Sequence, residues 1–307
     1  MDLWIRGYRR AMLGLAARDT VKRLSLRYGS RLAGRFVAAP TREGALDAVL
    51  KLKAKGIAAT MDYLGESVGN WEEAAGSRDE ILRLLQAISD RGLDAHVSVK
   101  PTQLGLGLDP EACCDNLRMI AAAAREAGTF LRIDMESSAY TQATLDLVRR
   151  LRAEGLDQVG AVVQACLRRS AGDADKLMEE KIRMRIVKGA YREPEDIAYQ
   201  KNGEIIDSYR TIVGKLLDAG FETAVATHDD RLIRWVRTYA ESHGIGRDSF
   251  EFQMLYGLRT AEQEKLAREG YRVRCYVPYG TEWYPYYTRR LAERPSHLWL
   301  VVRNFWK

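Results

Sequence analysis

Five polar side chains stand at the ends of short β-type runs: Lys100, Asp134, Gln164, Thr227 and Tyr276. A cation, a carboxylate, an amide, a hydroxyl and a phenol gathered at one mouth could bind a small charged substrate, orient it and handle a proton. Arg185 sits slightly deeper in its run, within reach of the lower face of anything bound there. Far along the chain, consecutive Arg289 and Arg290 offer two planar guanidinium forks of the shape that suits a carboxylate. Neighbouring residues on a helix point about 100° apart, so the pair could grip one ligand from two sides. Taken alone, each feature has a plainer reading: an Arg-Arg pair is usually a solvated helix face, a lone histidine such as His228 is usually structural, and single aromatic residues usually pack. Their placement decides.

The elements that must place them are legible from about residue 57 onward. Runs Ala58–Tyr63, Ala95–Lys100, Phe130–Met135, Gly160–Ala165, Met184–Gly189, Glu222–His228, Phe250–Leu255 and Arg272–Val277 alternate with amphipathic stretches such as Pro110–Ala127, Tyr140–Glu154, Asp207–Ala219 and Arg231–His243. Strands separated by helices pair in parallel through crossovers. Eight such units have the size of a closed (β/α)8 barrel, the TIM-type fold of the α/β class. The alternative is an open doubly wound sheet, which wants a G-x-G-x-x-G turn after its first strand, and the sequence has none. Residues 1–56 carry helical spacing without strand alternation, notably Leu3–Ala17 and Thr41–Lys55, and read as helices packed on the barrel formed by residues 57–307. No linker divides the two, so the reading is one domain.

Strand parity sharpens this reading. One set is apolar and should face the helices: Val97 and Val99, Leu131 and Ile133, Ala161 and Val163, Met184 and Ile186, Phe252 and Met254, Val273 and Cys275. The opposite set is polar and must face the barrel interior: Thr60, Asp62, Ser98, Lys100, Arg132, Asp134, Gln164, Arg185, Thr227, Glu251, Gln253, Arg274 and Tyr276. Interior charges are paired or functional. Arg132, Glu251 and Arg274 lie deep and are expected to form an interior ion network, whereas the residues at the C-terminal strand ends are where barrel enzymes place their sites.

Bulk composition narrows the classes. Hydrophobic residues at 46% and charged residues at 29% describe an ordinary globular protein, and the +6 net charge is dispersed, which argues against a nucleic-acid-binding module. Cys113, Cys114, Cys166 and Cys275 show no Cys-x-x-Cys spacing, so neither a metal site nor a redox pair is expected, and a reducing compartment fits. No apolar run is long enough to span a membrane, and the N-terminus does not read as a secretory signal. The expected location is cytoplasmic. The Arg-rich helix Leu3–Arg18 could instead lie on the inner face of the cell membrane, although capping the barrel is its simpler role.

Several segments, in order, resemble the proline dehydrogenase family in its short, monofunctional bacterial form. They are Ser-Val-Lys-Pro-Thr-Gln-Leu-Gly (98–105), Arg-Ile-Asp-Met-Glu (132–136), Val-Lys-Gly-Ala-Tyr (187–191), Ala-Thr-His-Asp (226–229), Glu-Phe-Gln-Met-Leu-Tyr-Gly (251–257), Tyr-Val-Pro-Tyr-Gly (276–280) and Tyr-Tyr-Thr-Arg-Arg-Leu-Ala-Glu (286–293). The resemblance implies a distorted barrel with its last helix across the top, non-covalent FAD, and a quinone that takes up the electrons. The implied reaction removes hydride from the carbon beside the nitrogen of L-proline, giving Δ1-pyrroline-5-carboxylate.

The same resemblance implies roles. Arg289, Arg290 and Lys100 would clamp the substrate carboxylate, and Tyr276, Tyr286, Leu255, Tyr191 and Ala190 would wall its ring. Asp134 and Arg185 would be catalytic, Arg185 donating toward flavin N5 and Asp134 ordering the groups around the substrate. Met135, Gln164, Val187, Lys188, Gly189, Ala190, Thr227, His228 and Glu293 would contact the cofactor, and Glu66 would close the entrance by pairing with Arg289. Tyr286 would crowd a 4-hydroxyl, so discrimination against hydroxyproline is expected. Arg192 departs from the tryptophan common in longer members. The competing reading is a barrel aldolase or lyase acting on phosphorylated metabolites, with Lys100 or Lys188 as a Schiff-base lysine of depressed pKa.

Overall fold

The computed structural model describes residue 14, residues 36–191 and residues 193–293, the side chains of residues 289–293 excepted. The expected N-terminal helix Leu3–Arg18 and the Arg192 position lie outside the described residues.

Eight parallel strands close into a barrel in sequence order, with the last strand pairing the first. They are β1 (Ala58–Tyr63), β2 (Ala95–Val99), β3 (Leu131–Ile133), β4 (Val159–Gln164), β5 (Met184–Val187), β6 (Thr223–Ala226), β7 (Phe250–Leu255) and β8 (Arg272–Tyr279). The helices are α1 (Arg42–Lys53), α2 (Trp71–Asp90), α3 (Pro110–Glu126), α4 (Ser138–Ala153), α5 (Ser170–Glu179), α6 (Asn202–Asp218), α7 (Asp230–Ser242), α8 (Thr260–Arg268) and α9 (Trp283–Glu293), with a short 3₁₀ turn at Pro101–Leu104. Two predicted strands, Ala58–Tyr63 and Phe250–Leu255, keep their bounds. Strands β2, β3, β5 and β6 are shorter than predicted, because their last residues leave the ladder to form the loops at the mouth, whereas β4 is shifted by one residue and β8 runs on to Tyr279.

Local chemistry starts the helices. Thr41, Asn70, Asp109 and Asp229 cap α1, α2, α3 and α7 with side-chain oxygens that accept backbone N–H groups, and Pro110 occupies the first turn of α3, where a missing N–H costs nothing. Helix α3 then buries Cys113, Cys114, Leu117, Ile120, Ala121 and Ala124, a stripe at helical spacing. All four cysteines are buried. The stripe belongs to one core cluster that also holds the outward strand residues Val97, Val99, Leu131, Ile133, Ala161, Val163, Met184, Ile186, Phe252, Met254, Val273 and Cys275. The parity reading therefore holds on both faces, since the polar set is turned inward and bonded across the barrel.

The last helix sits where the mouth is. Trp283, Tyr284, Tyr286 and Tyr287 of α9 cluster with Phe36, Val37, Leu64 after β1, and Leu258 after β7, with Leu255 packed alongside. These anchors flank β8, so α9 covers the β7–β8–β1 sector at the C-terminal end of the barrel. Among the described residues no helix is long and apolar enough to cross a membrane.

The barrel floor departs from the expected ion network in one respect. Arg274 Nε lies 3.0 Å from both Glu251 oxygens, as expected. Arg132 instead donates to two backbone carbonyls, Ala161 O at 3.0 Å and Arg183 O at 2.7 Å. Gly160 makes this reach feasible, because a Cβ there would stand 2.8 Å from Arg132 Nη1 and 2.6 Å from Arg183 O. Burial, with Arg185 adding repulsion, pushes Arg132 down to about 9 despite Glu251 and Asp134.

His96, inward on β2 and 5.2 Å from the Phe130 ring, lies in this cationic floor. Burial, reinforced by Arg274, Arg132, Arg185 and Arg183, holds it neutral, far below the ordinary histidine range. The unfolded chain takes up a proton near pH 6.5 that the folded chain refuses, so this residue's contribution to stability is complete above that pH and is lost as pH falls. Denaturant titrations from pH 7.5 to 5.5 should show stability falling toward a limiting slope of about 1.4 kcal/mol per pH unit from this single site. His96→Gln should flatten that part of the curve; an unchanged slope would remove His96 as its source.

Candidate active site

The C-terminal strand ends bring a continuous polar network into the mouth. Asp62 of β1 is fully buried, and both of its carboxylate oxygens lie 2.9 Å from Lys100 Nζ. Lys100, just past β2, also lies 3.5 Å from the Tyr276 hydroxyl and 3.9 Å from Asp134 Oδ2. Asp134, just past β3, accepts from Arg185 Nη1 at 2.7 Å through Oδ1 and from the Tyr276 hydroxyl at 2.8 Å through Oδ2. Arg185 of β5 further donates Nη2 to Ser98 at 3.1 Å and Nε to Gln253 at 2.5 Å, and its guanidinium carbon stands 5.3 Å from the Tyr276 ring centre. Residues drawn from six different strands or their ends thus meet in one place.

Electrostatics fixes the charge states. Burial opposes the Lys100 ammonium, but Asp62, Asp134 and Glu66 outweigh it and hold the lysine above its ordinary range. Burial pushes the Asp62 carboxyl upward against the pull of Lys100. Burial, then Asp134 and Asp62, drives the Tyr276 phenol well above its usual value, so it stays protonated and donates. A Schiff-base lysine needs the opposite, an amine freed of its proton. The Lys100 environment therefore argues against the aldolase reading, and Lys188 is ion-paired as well, 2.5 Å from Asp229.

A second lip follows β4, β5 and β6. Gln164, at the end of β4, donates to the backbone oxygen of Glu136 at 2.8 Å. Beyond β5, Gly189 adopts φ +111°, and a Cβ there would stand 2.2 Å from Cys166 Sγ, so no side chain fits. Beside it, Lys188 meets Asp229, whose carboxyl is held well below its ordinary range although burial works the other way, because Arg231 and Lys188 both bind it. Thr227 accepts the Asp229 N–H at 3.1 Å, and His228 Nε2 accepts the Leu255 N–H at 2.9 Å, which ties the β6 loop to the end of β7. Val187 ends β5, and Ala190 and Tyr191 follow it, each partly exposed.

Most predicted site residues are therefore neighbours, though not all are placed alike. Tyr286 is buried under α9 in the aromatic cluster that Leu255 adjoins. Met135 lines a small cavity with Thr141, Leu145, Val163, Gln164 and Leu167, on the helix side of the wall, so anything in the mouth would meet its backbone first. Glu66 lies close enough to Lys100 and Glu136 to influence both. The side chains of Arg289, Arg290 and Glu293 lie outside the described residues, although their backbone continues α9. Sequence reasoning gave Asp62, Ser98 and Gln253 an inward direction but no role. It passed over Glu136, whose carboxylate accepts the Thr102 N–H at 2.9 Å and the Thr102 hydroxyl at 2.5 Å, and whose inward parity was the available signal.

Comparison with known proteins follows the same lines. The family model described as proline dehydrogenase matches residues 45–298. A protein of Deinococcus radiodurans named proline dehydrogenase is 41% identical over 304 residues, covering 98% of both chains. Proline dehydrogenase 1 of Bacillus subtilis strain 168 is 39% identical, covering 97% of this chain and 99% of its own. Among solved structures, proline utilization A from Bdellovibrio bacteriovorus, inactivated by N-propargylglycine, superimposes with a TM-score of 0.79 at 27% identity. That match covers 84% of this chain and 32% of the other, so this chain spans about a third of that longer protein.

The buried pair at the centre has a testable energetic signature. Asp62→Ala leaves the Lys100 ammonium buried with only the longer contact to Asp134, so a loss of about 3–5 kcal/mol in denaturant unfolding is expected. Replacing both members, Asp62→Leu with Lys100→Met, should recover most of that loss. Equal destabilisation by the single and double variants would show that packing, and not the pair, sets the cost.

Proposed function

Because this chain belongs to the proline dehydrogenase family, we propose that it oxidises L-proline to Δ1-pyrroline-5-carboxylate with non-covalently bound FAD and passes the electrons to a quinone. The observation that carries this reading is the single network joining Lys100, Asp62, Asp134, Arg185 and Tyr276 at the barrel mouth. Proline presents one carboxylate, one ring and one amine. The mouth offers an anchored cation, a neutral phenol and an apolar wall.

The second lip fits the proposed cofactor. Lys188 and Arg231, gathered on Asp229, supply positive charge for a diphosphate, Gln164 and His228 offer polar atoms around a planar ring, and Gly189 lets the loop between them pack closely on Cys166. FAD, when bound, supplies the hydride acceptor that the side chains of this chain lack.

The chain's own residues would divide the remaining work. Asp62 aims the Lys100 ammonium, which with Arg289 and Arg290 would hold the substrate carboxylate. Leu255 and Tyr286 would wall the ring from above, and Ala190 and Tyr191 from the β5 side. Asp134 already accepts from Arg185 and Tyr276 through separate oxygens, so its work is to hold those two donors in register. Arg185 has five N–H donors, three of them directed to Gln253, Asp134 and Ser98, and its fixed charge would stabilise the negative charge that arrives with the hydride. Proline must lose an amine proton before hydride loss, and the cation-rich mouth lowers the cost of that loss.

Purified protein supplied with FAD should be yellow, with absorption near about 450 nm that L-proline bleaches under anaerobic conditions. A colourless protein that neither binds FAD nor responds to proline would overturn the proposal. Glu66, on the loop after β1, is proposed to close the entrance against Arg289. Glu66→Ala should raise KM for proline several-fold, about 3–10-fold, with a smaller change in kcat. Steady-state kinetics unchanged in both parameters would reject the gate.

A further inference from the structure

Beneath the residues that would meet substrate and cofactor lies a second tier, in which Glu251 and Arg274 pair as expected and Gln253 had a direction but no role. Gln253, central on β7, is buried, and its amide is used at both ends. Its oxygen accepts Arg185 Nε at 2.5 Å, and its nitrogen donates to Glu251 Oε1 at 2.6 Å. Glu251 is fixed in turn by Arg274 Nε at 3.0 Å from each of its oxygens, and Arg274 Nη1 donates to Ala59 O at 2.7 Å. The amide therefore has one permitted orientation. Turning it over would face its NH2 toward the Arg185 N–H and its oxygen toward the Glu251 carboxylate, two repulsive contacts in a buried place.

We propose that Gln253 is the positioning residue for Arg185, and that the chain Arg274–Glu251–Gln253 runs from the barrel floor to set the heading of the guanidinium presented to the flavin. The inference rests on the reading of Arg185 as the flavin-facing cation. Three bonds orient Arg185: one to Asp134 and one to Ser98 through its terminal nitrogens, and one to Gln253 through Nε. The Nε bond is the one nearest the stem of the side chain, and so governs the plane of the fork. A neutral amide suits this task. It supplies a strong acceptor without cancelling the Arg185 charge, and it keeps the Glu251 carboxylate one side chain away from that charge.

The test compares the FAD-loaded full chain with Gln253→Leu and Gln253→Glu. Gln253→Leu removes the acceptor, and kcat should fall about tenfold while KM for L-proline stays within about twofold. The bound flavin should become harder to reduce by the matching shift, about 30 mV for a tenfold change in a two-electron equilibrium. Gln253→Glu places an ionised carboxylate beside both Arg185 and Glu251, so it too should lower kcat and potential at high pH. As pH falls and the introduced carboxyl protonates, its C=O can accept from Arg185 and its O–H can donate to Glu251, which reproduces the amide pattern. Its kcat and potential should therefore approach the unsubstituted protein toward low pH, whereas the Gln253→Leu deficit should not depend on pH.

Two results would overturn the inference: variants that lose only thermal stability while kcat and potential stay as in the unsubstituted protein, or a Gln253→Glu deficit that does not depend on pH. Should Gln253→Leu fail to fold, the pH profile of Gln253→Glu decides alone. Arg185→Met measured alongside separates the two levels. If its flavin potential is unshifted, the reading of Arg185 itself fails. If it is shifted while both Gln253 variants match the unsubstituted protein, only the positioning role fails.

Discussion

A closed barrel this narrow cannot leave a charge unanswered, and the pairing of Lys100 with Asp62 is the point from which the mouth is organised. Both groups are buried, and each would be costly alone. Once Lys100 is fixed, Asp134 lies 3.9 Å from its ammonium, and Asp134 then gathers Arg185 and Tyr276 through separate oxygens. Five elements that share no sequence neighbourhood are thereby held to one geometry. An ion pair of this kind contributes little net stability compared with apolar packing of the same volume. Its value lies in orientation: a lysine with a committed partner presents its remaining charge in one direction, and a binding pocket requires that.

Much of this was legible in the sequence because parallel strands obey a strict alternation. Once Val97, Leu131, Ile133, Ile186 and Phe252 are recognised as facing the helices, the direction of Ser98, Arg132, Asp134, Arg185 and Gln253 follows with no further information. Direction is not partnership, however. Periodicity turned Asp62 inward but could not say that it meets Lys100, since that contact spans two strand ends and depends on register. Arg132 shows the limit most plainly. It was expected to join Glu251 and Arg274, but a glycine at 160 opens a path to carbonyl oxygens, and backbone acceptors leave no mark in the order of side chains. Strand ends were also overestimated at β3, β5 and β6, where residues needed in the loops stop pairing early.

The loops around the mouth are joined by side chains that reach across to backbone. Gln164 holds the Glu136 carbonyl, Glu136 holds Thr102, and the Thr102 hydroxyl accepts the Ser67 N–H at 3.0 Å beside Glu66. Glu193, beyond β5, caps the start of α4 through the Ser138 N–H at 2.8 Å. These links explain how short loops with little apolar content keep defined positions. Each replaces a water-facing backbone group with a directed partner, and together they make the rim after β1 to β5 behave as one frame.

Among the described residues, the aromatic cluster of α9 is seated beside β7, β8 and β1, on one side of the barrel axis. Across the barrel from that seat stand the buried Gln164 and Thr227, with the bare backbone of Gly189 between them. Eaves and far lip hang from different staves, so loosening the aromatic seat would slacken one side of the mouth and leave the ties of the other intact.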